Sequence, residues 1–354
     1  MKQRTLVVAL LVALLPFGAA ASEAPNSSPP ERAIPARSLP VPATVSPQMQ
    51  AIIAQPPGTA VIPETADGWK ALVAAASRGD LERIAVLRKQ FDVTVEQVVV
   101  DKVPCYLITP ARVPEKSKDR LLVHLHGGGY VFGPGEAGIL EAILMAGVSH
   151  MKVLSVDYRM PPDHPYPAAM DDATAVWREV VKRTSPRNLA VFGTSTGGAM
   201  TLALVQRAQR EGLPLPAAIA PGTPWSDLTK TGDSYFTNER VDNVLGAYEP
   251  LLSAAARLYA NGLDLKDPRL SPVYGSFKGF PPTILTTGTR DLFLSNSVRV
   301  YRLLRAERVE AQLELYEGQS HAQYLADANA PEFAQALGEI TRFFDSHLGR
   351  RKSH

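Results

Sequence analysis

At 354 residues, with 45% hydrophobic and 20% charged side chains, the chain has the composition of a globular protein able to bury a large core. Its formal net charge of +2 is too small to argue for nucleic acid or an anionic surface as partner. It holds no phosphate-cradling G-x-x-x-x-G-K-S/T, no G-x-G-x-x-G after a strand, no Cys/His cluster at zinc spacing and no internal repeat.

In chain order, Lys2 and Arg4 precede an apolar run over 6–15 and the small residues Gly18, Ala19, Ala20 and Ala21. This is the pattern of a secretory signal over 1–21, too short to span a bilayer, so an exported protein, periplasmic or secreted, with no membrane span after cleavage is expected. Residues 22–63, rich in Pro, Ser and Ala, read as an extended linker, and 64–354 as one domain. A helix is predicted over 68–91, with a break near Ser77-Arg78-Gly79-Asp80. Buried-strand patterns follow over 94–100, 103–109, 121–126, 152–157, 188–193, 217–221, 282–288 and 311–316. Helices are predicted over 135–149, 167–182, 196–211, 243–261, 295–305 and 331–347. Strands buried on both sides and separated by helices predict an α/β fold, a mostly parallel eight-stranded sheet with helices on both faces. Cys105, the only cysteine, lies in a strand-like segment and reads as a buried, inert thiol.

Two glycine motifs each end a predicted strand. His126-Gly127-Gly128-Gly129 offers backbone N–H donors for an oxygen on which charge develops, and Gly193-Thr194-Ser195-Thr196-Gly197 matches the nucleophile elbow G-x-S-x-G. In the elbow the strand turns so sharply into a helix that the serine hydroxyl projects outward, and only glycine tolerates the close approach at its flanks. Ser195 is therefore the candidate nucleophile. Asp291 follows the strand 282–288 as candidate acid, and His321 follows the strand 311–316 as candidate base. Asp227 and Asp267 also lie in loops and compete for the acid role, but neither follows the penultimate strand. The remaining histidines have quieter readings: His124 packs inside a strand, His150 ends a helix, His164 shapes a proline-rich turn, and His347 and His354 lie in a charged tail.

With these motifs the chain resembles the bacterial hormone-sensitive-lipase-like esterases of the α/β-hydrolase fold. The likeness extends through Tyr130 to Gly133, Tyr158-Arg159-Met160-Pro161-Pro162 and Asp267-Pro268-Arg269-Leu270-Ser271-Pro272, and covers roughly 90–348. It implies hydrolysis of short or medium acyl esters through an acyl-enzyme, without metal or organic cofactor, with Ser195, Asp291 and His321 as triad and the N–H groups of Gly128, Gly129 and Thr196 as oxyanion hole. Gly127 would serve the turn. It further implies a small helical cap from about 64–91 and 232–262. The chain departs from the family at Thr194 and Thr196, where Asp and Ala are usual, and in Asp291-Leu292-Phe293 after the acid strand. The lost aspartate leaves its loop-organising role to a hydroxyl or another group, and the β-branched Thr196 is expected to narrow the acyl pocket. A small-molecule ester or lactone is the expected substrate. Lactone hydrolysis, acyl transfer or amide hydrolysis with the same triad, and a non-catalytic binding role, stay open, as does the oligomeric state.

Overall fold

The structure, a computed structural model, describes residues 32–58 and 62–349; the signal segment over 1–21 and the start of the linker lie outside them. Residues 32–40 carry no regular secondary structure. Strands β1 (Val93–Val100), β2 (Val103–Pro110), β3 (Leu121–Leu125), β4 (Lys152–Val156), β5 (Leu189–Thr194), β6 (Ala218–Gly222), β7 (Thr283–Gly288) and β8 (Ala311–Tyr316) form one sheet in the order β1-β2-β4-β3-β5-β6-β7-β8. The first two strands make an antiparallel hairpin through Asp101 and Lys102, both at positive φ (48° and 67°), as a tight two-residue hairpin turn requires. β2 pairs antiparallel with β4, and all later pairings are parallel.

Helices α1 (Pro47–Ile53) and α2 (Ala66–Gln90) precede the sheet, and α3 (Leu140–Ser149), α4 (Ala168–Arg183) and α5 (Thr196–Arg210) connect its strands. Short helices α6 (Ser234–Thr237) and α7 (Ser253–Ala260) fall between β6 and β7, α8 (Leu294–Ala306) follows β7, and α9 (Pro331–His347) closes the fold. The central strands are buried at nearly every position because both faces are covered, and the pleat sends neighbours to opposite sides. Val123, Val191 and Ile219 pack with Val176 of α4, Leu202 of α5 and Val300 of α8. Leu122, Phe192 and Ala218 pack with Ile143 of α3 and Ile340 of α9. Cys105 is fully buried on β2, where burial pushes its thiol up to about 12. Among the described residues, no helix is long and apolar enough to cross a membrane.

Three elements differ from the sequence expectation. The predicted extended linker contains α1, started by Ser46-Pro47: the Ser46 hydroxyl accepts from Met49 N–H (3.2 Å), and proline occupies a position whose N–H needs no partner. The same serine donates from N and Oγ to the Glu332 carboxylate (2.7 Å each), Asn243 donates to the carbonyls of Ile52 and Gln55 (2.9 Å each), and Met49 and Ile53 are buried. α2 runs unbroken through Ser77, whose hydroxyl donates back to the Val73 carbonyl (2.8 Å). The helix expected over 243–261 is regular only from Ser253, because Pro250 excludes helical backbone at the residue before it and Glu249 is extended (φ −90°, ψ 143°).

Docking of α1 sets a stability test. Met49→Ala removes a fully buried side chain and should cost about 2–5 kcal/mol in urea unfolding; a loose linker at this position would leave the unfolding midpoint unchanged.

Candidate active site

β5 ends in Gly193-Thr194 and α5 begins at Thr196, so the chain reverses at Ser195, which adopts φ 65°, ψ −122°. A non-glycine residue held at positive φ is strained, and here the backbone bonds hold it: Ser195 N donates to Gly222 O (2.9 Å), while its carbonyl accepts from Trp225 N (3.0 Å) and Ala199 N (3.1 Å). A Cβ at Gly193 would lie 2.0 Å, and at Gly197 1.9 Å, from the Leu125 carbonyl oxygen, so both motif glycines are required by close approach to β3.

The loops after β7 and β8 bring Asp291 and His321 together, with His321 Nδ1 donating to Asp291 Oδ1 at 3.1 Å. That bond leaves Nε2 as the acceptor nitrogen, the tautomer a general base needs. Asp291 is fully buried; its carboxylate also accepts from Phe293 N–H (2.8 Å), the Thr287 hydroxyl (2.8 Å) and the Thr223 hydroxyl. The competing carboxylates are engaged elsewhere. Asp227 accepts from Arg299 and Tyr274, and the partly exposed Asp267 accepts from Arg269.

Two residues in this neighbourhood escaped the sequence reading. Thr223, on the turn after β6 at φ 30°, reaches both the Asp291 carboxylate and His321 Nδ1 (3.1 Å). Asp242 is fully buried and accepts four backbone N–H groups: Val244 (2.8 Å), Leu245 (2.9 Å), Leu292 (2.8 Å) and His321 (3.3 Å). One carboxylate thereby ties the acid loop, the base loop and the segment leading to α7. Burial, then the nearby Asp291, raises its pKa above the ordinary range. No local motif announces it, since its partners come from three distant stretches of chain.

The glycine run after β3 lies against the elbow. A Cβ at Gly127 would sit 2.7 Å from Thr194 O, and Gly128 and Gly129 adopt φ 113° and 64°. Their N–H groups meet no protein acceptor among the described residues, and the N–H of Thr196 belongs to the first turn of α5, where amides lack an intrahelical partner. The run is anchored by His126, whose ring stacks on Tyr158 (4.1 Å) and whose Nδ1 donates to Gly127 O (2.7 Å). The Tyr158 hydroxyl donates to His126 O at 2.6 Å.

Ser195 and His321 line one cavity of about 400 Å³ together with Gly128 and Gly129. Phe132, Leu140, Leu245, Leu251 and Leu252 give it apolar walls, and Asp80 and Arg83 of α2 stand on its rim, where Arg83 donates to the carbonyls of Leu325 (2.8 Å) and Ala326 (2.7 Å). Thr196 is fully buried and is not part of this wall, so the expected narrowing of the acyl pocket by its side chain is not observed. Thr194 directs its hydroxyl to the Glu141 carboxylate of α3 (2.7 Å). His124 is buried and bonded to Ser155 Oγ (2.8 Å), as its packed reading anticipates.

Comparison with known proteins agrees with this fold. Residues 122–325 match a family model described as alpha/beta hydrolase fold. The crystal structure of an esterase E25 superposes with a TM-score of 0.87 at 42% identity, over 90% of this chain and 99% of that one. That of an esterase from the bacterial hormone-sensitive lipase family gives a TM-score of 0.68 at 25% identity, over 81% and 100%. An esterase of Acinetobacter venetianus is 29% identical over 66% of this chain and 77% of its own length.

The anchoring histidine makes the site acid-sensitive in a defined direction. Burial pushes the His126 imidazole down to about 3 from its ordinary 6.5. The unfolded chain therefore takes up a proton that the folded chain refuses, and stability present above about 6.5 is lost as pH falls toward 3. Between about pH 7 and 5 this single group should remove roughly 2 kcal/mol. His126→Phe, which keeps the ring stack, should flatten the urea-unfolding profile by that amount; an unchanged slope would assign the acid sensitivity to other groups.

Proposed function

Because the chain belongs to the α/β-hydrolase fold family, among the bacterial hormone-sensitive-lipase-like esterases, we propose that it hydrolyses carboxylic esters through Ser195, with His321 as general base and Asp291 as the acid that orients it. The observation that carries this assignment is the buried Asp291–His321 pair, 3.1 Å apart, with the histidine opening onto the cavity that Ser195 lines. Nε2 of His321 takes the serine proton as Oγ attacks the ester carbonyl, and Asp291 stabilises the imidazolium without accepting its proton. The N–H groups of Gly128, Gly129 and Thr196 receive the oxyanion, and their fixed backbone means that little reorganisation is needed as charge appears. Collapse of the tetrahedral intermediate returns the proton to the leaving alcohol; water then repeats the sequence on the acyl-enzyme.

Walls of leucine and phenylalanine and a volume near 400 Å³ suit a short or medium acyl chain. α2 and the stretch 245–255 contribute to that cavity and would act as its cap. The amino-terminal pattern of Lys2, Arg4 and the apolar run supports export, and a mature chain beginning after Ala21 is the expected product.

Ser195→Ala should lower kcat on p-nitrophenyl esters by roughly 10³-fold or more while leaving thermal unfolding near that of the wild type. A fluorophosphonate should label the wild type and not the variant. Labelling that survives the substitution would remove Ser195 from the mechanism.

A further inference from the structure

Glu141 stands in the first turn of α3 with its side chain 14% exposed, and its two oxygens are shared among three donors. Oε1 accepts from the Thr194 hydroxyl (2.7 Å), and Oε2 accepts from Thr194 N–H (3.1 Å) and faces His124 Nε2 (3.3 Å). Thr194 immediately precedes Ser195. Having given its only proton to Glu141, its hydroxyl is left to accept from the Tyr324 hydroxyl, 3.1 Å away, on the turn three residues after His321. Gly222, at the end of β6, makes room for this junction: a Cβ there would lie 2.3 Å from the Tyr324 hydroxyl and 2.6 Å from Thr194 Oγ1. On the other side, His124 belongs to β3, which leads into the oxyanion glycines, and its Nδ1 meets Ser155 Oγ at 2.8 Å. One carboxylate therefore connects the nucleophile elbow, the base loop and the strand before the oxyanion loop.

We propose that Glu141 is a positioning residue that fixes the elbow, and so Ser195, relative to His321 and the oxyanion glycines. From α3 it places a carboxylate on both the backbone N–H and the hydroxyl of Thr194, the residue before the nucleophile. The inference rests on the esterase reading above, and it extends that reading to a residue that does not touch the reacting atoms. A glutamine cannot reproduce it, because a donor amide would replace one of two acceptor oxygens and would face other donors.

Glu141→Gln should lower kcat about 10²-fold, the scale of a small misplacement of reacting groups, with KM within about threefold of the wild type. Adding Thr194→Asp should restore most of that loss by placing a carboxylate on the elbow itself. Should Glu141→Gln fail to fold, Thr194→Val, which removes the hydroxyl and keeps the N–H, should by itself lower kcat about tenfold in a chain that still folds. Wild-type kcat in Glu141→Gln, no recovery in the double variant, or wild-type kcat in Thr194→Val would overturn the proposal. The fluorophosphonate rate separates this from failure of the esterase reading. Labelling of Ser195 that is slowed in Glu141→Gln in step with kcat supports positioning. Labelling at the wild-type rate overturns positioning alone, and absence of labelling in the wild type overturns the reading beneath it.

Discussion

The carbonyl oxygen of Leu125 is packed against both flanks of the elbow, and most of the site follows from that contact. With no room for a Cβ at Gly193 or Gly197, β3 ends directly beside the turn that carries Ser195, and Gly127 continues the contact against the Thr194 carbonyl. The glycines are thus needed chiefly for proximity, while the positive φ at Gly128 and Gly129 turns the following backbone over the same spot. A parallel sheet supplies the registration: β3 and β5 are neighbours, so their carboxyl ends open the same crevice, where ligands of open α/β sheets bind.

Around this contact the structure concentrates buried and partly buried acids. Asp291, Asp242 and Glu141 all lie within the catalytic neighbourhood, and each is surrounded by donors. The division of labour is physical. Asp291 accepts from His321, Asp242 accepts only backbone N–H groups and so ties the paths of two loops, and Glu141 accepts from the N–H and hydroxyl of Thr194. Buried carboxylates are costly unless bonded, and truncating one strands several donors at once. The pKa of Asp242, raised by burial and then by the nearby Asp291, marks the limit of this compensation.

The sheet was legible because the inner strands are short, mainly apolar runs bounded by turns and the edge strands β1 and β8 mix polar with apolar residues, and the elbow and glycine run were legible because they are local. Asp291 and His321 could be named from their position after β7 and β8. Asp242, Thr223 and Glu141 could not, since nothing in their immediate sequence distinguishes them and their partners lie far along the chain. The misread elements had local signals that composition outweighed. Ser46-Pro47 marks a helix start inside a proline-rich stretch, and Pro250 forbids the continuous helix that apolar spacing suggested. Thr196 illustrates the opposite limit: its place beside the oxyanion position was readable, but the direction of its side chain, into the protein and away from the cavity, was not.

A crystal structure of the enzyme after reaction with a phosphonate ester tests most directly whether the contact at Leu125 assembles a catalytic site. The account predicts a covalent bond from phosphorus to Ser195 Oγ, with the phosphoryl oxygen about 2.7–3.1 Å from the backbone nitrogens of Gly128, Gly129 and Thr196. An adduct on another side chain, or a phosphoryl oxygen turned away from those three nitrogens, would contradict it.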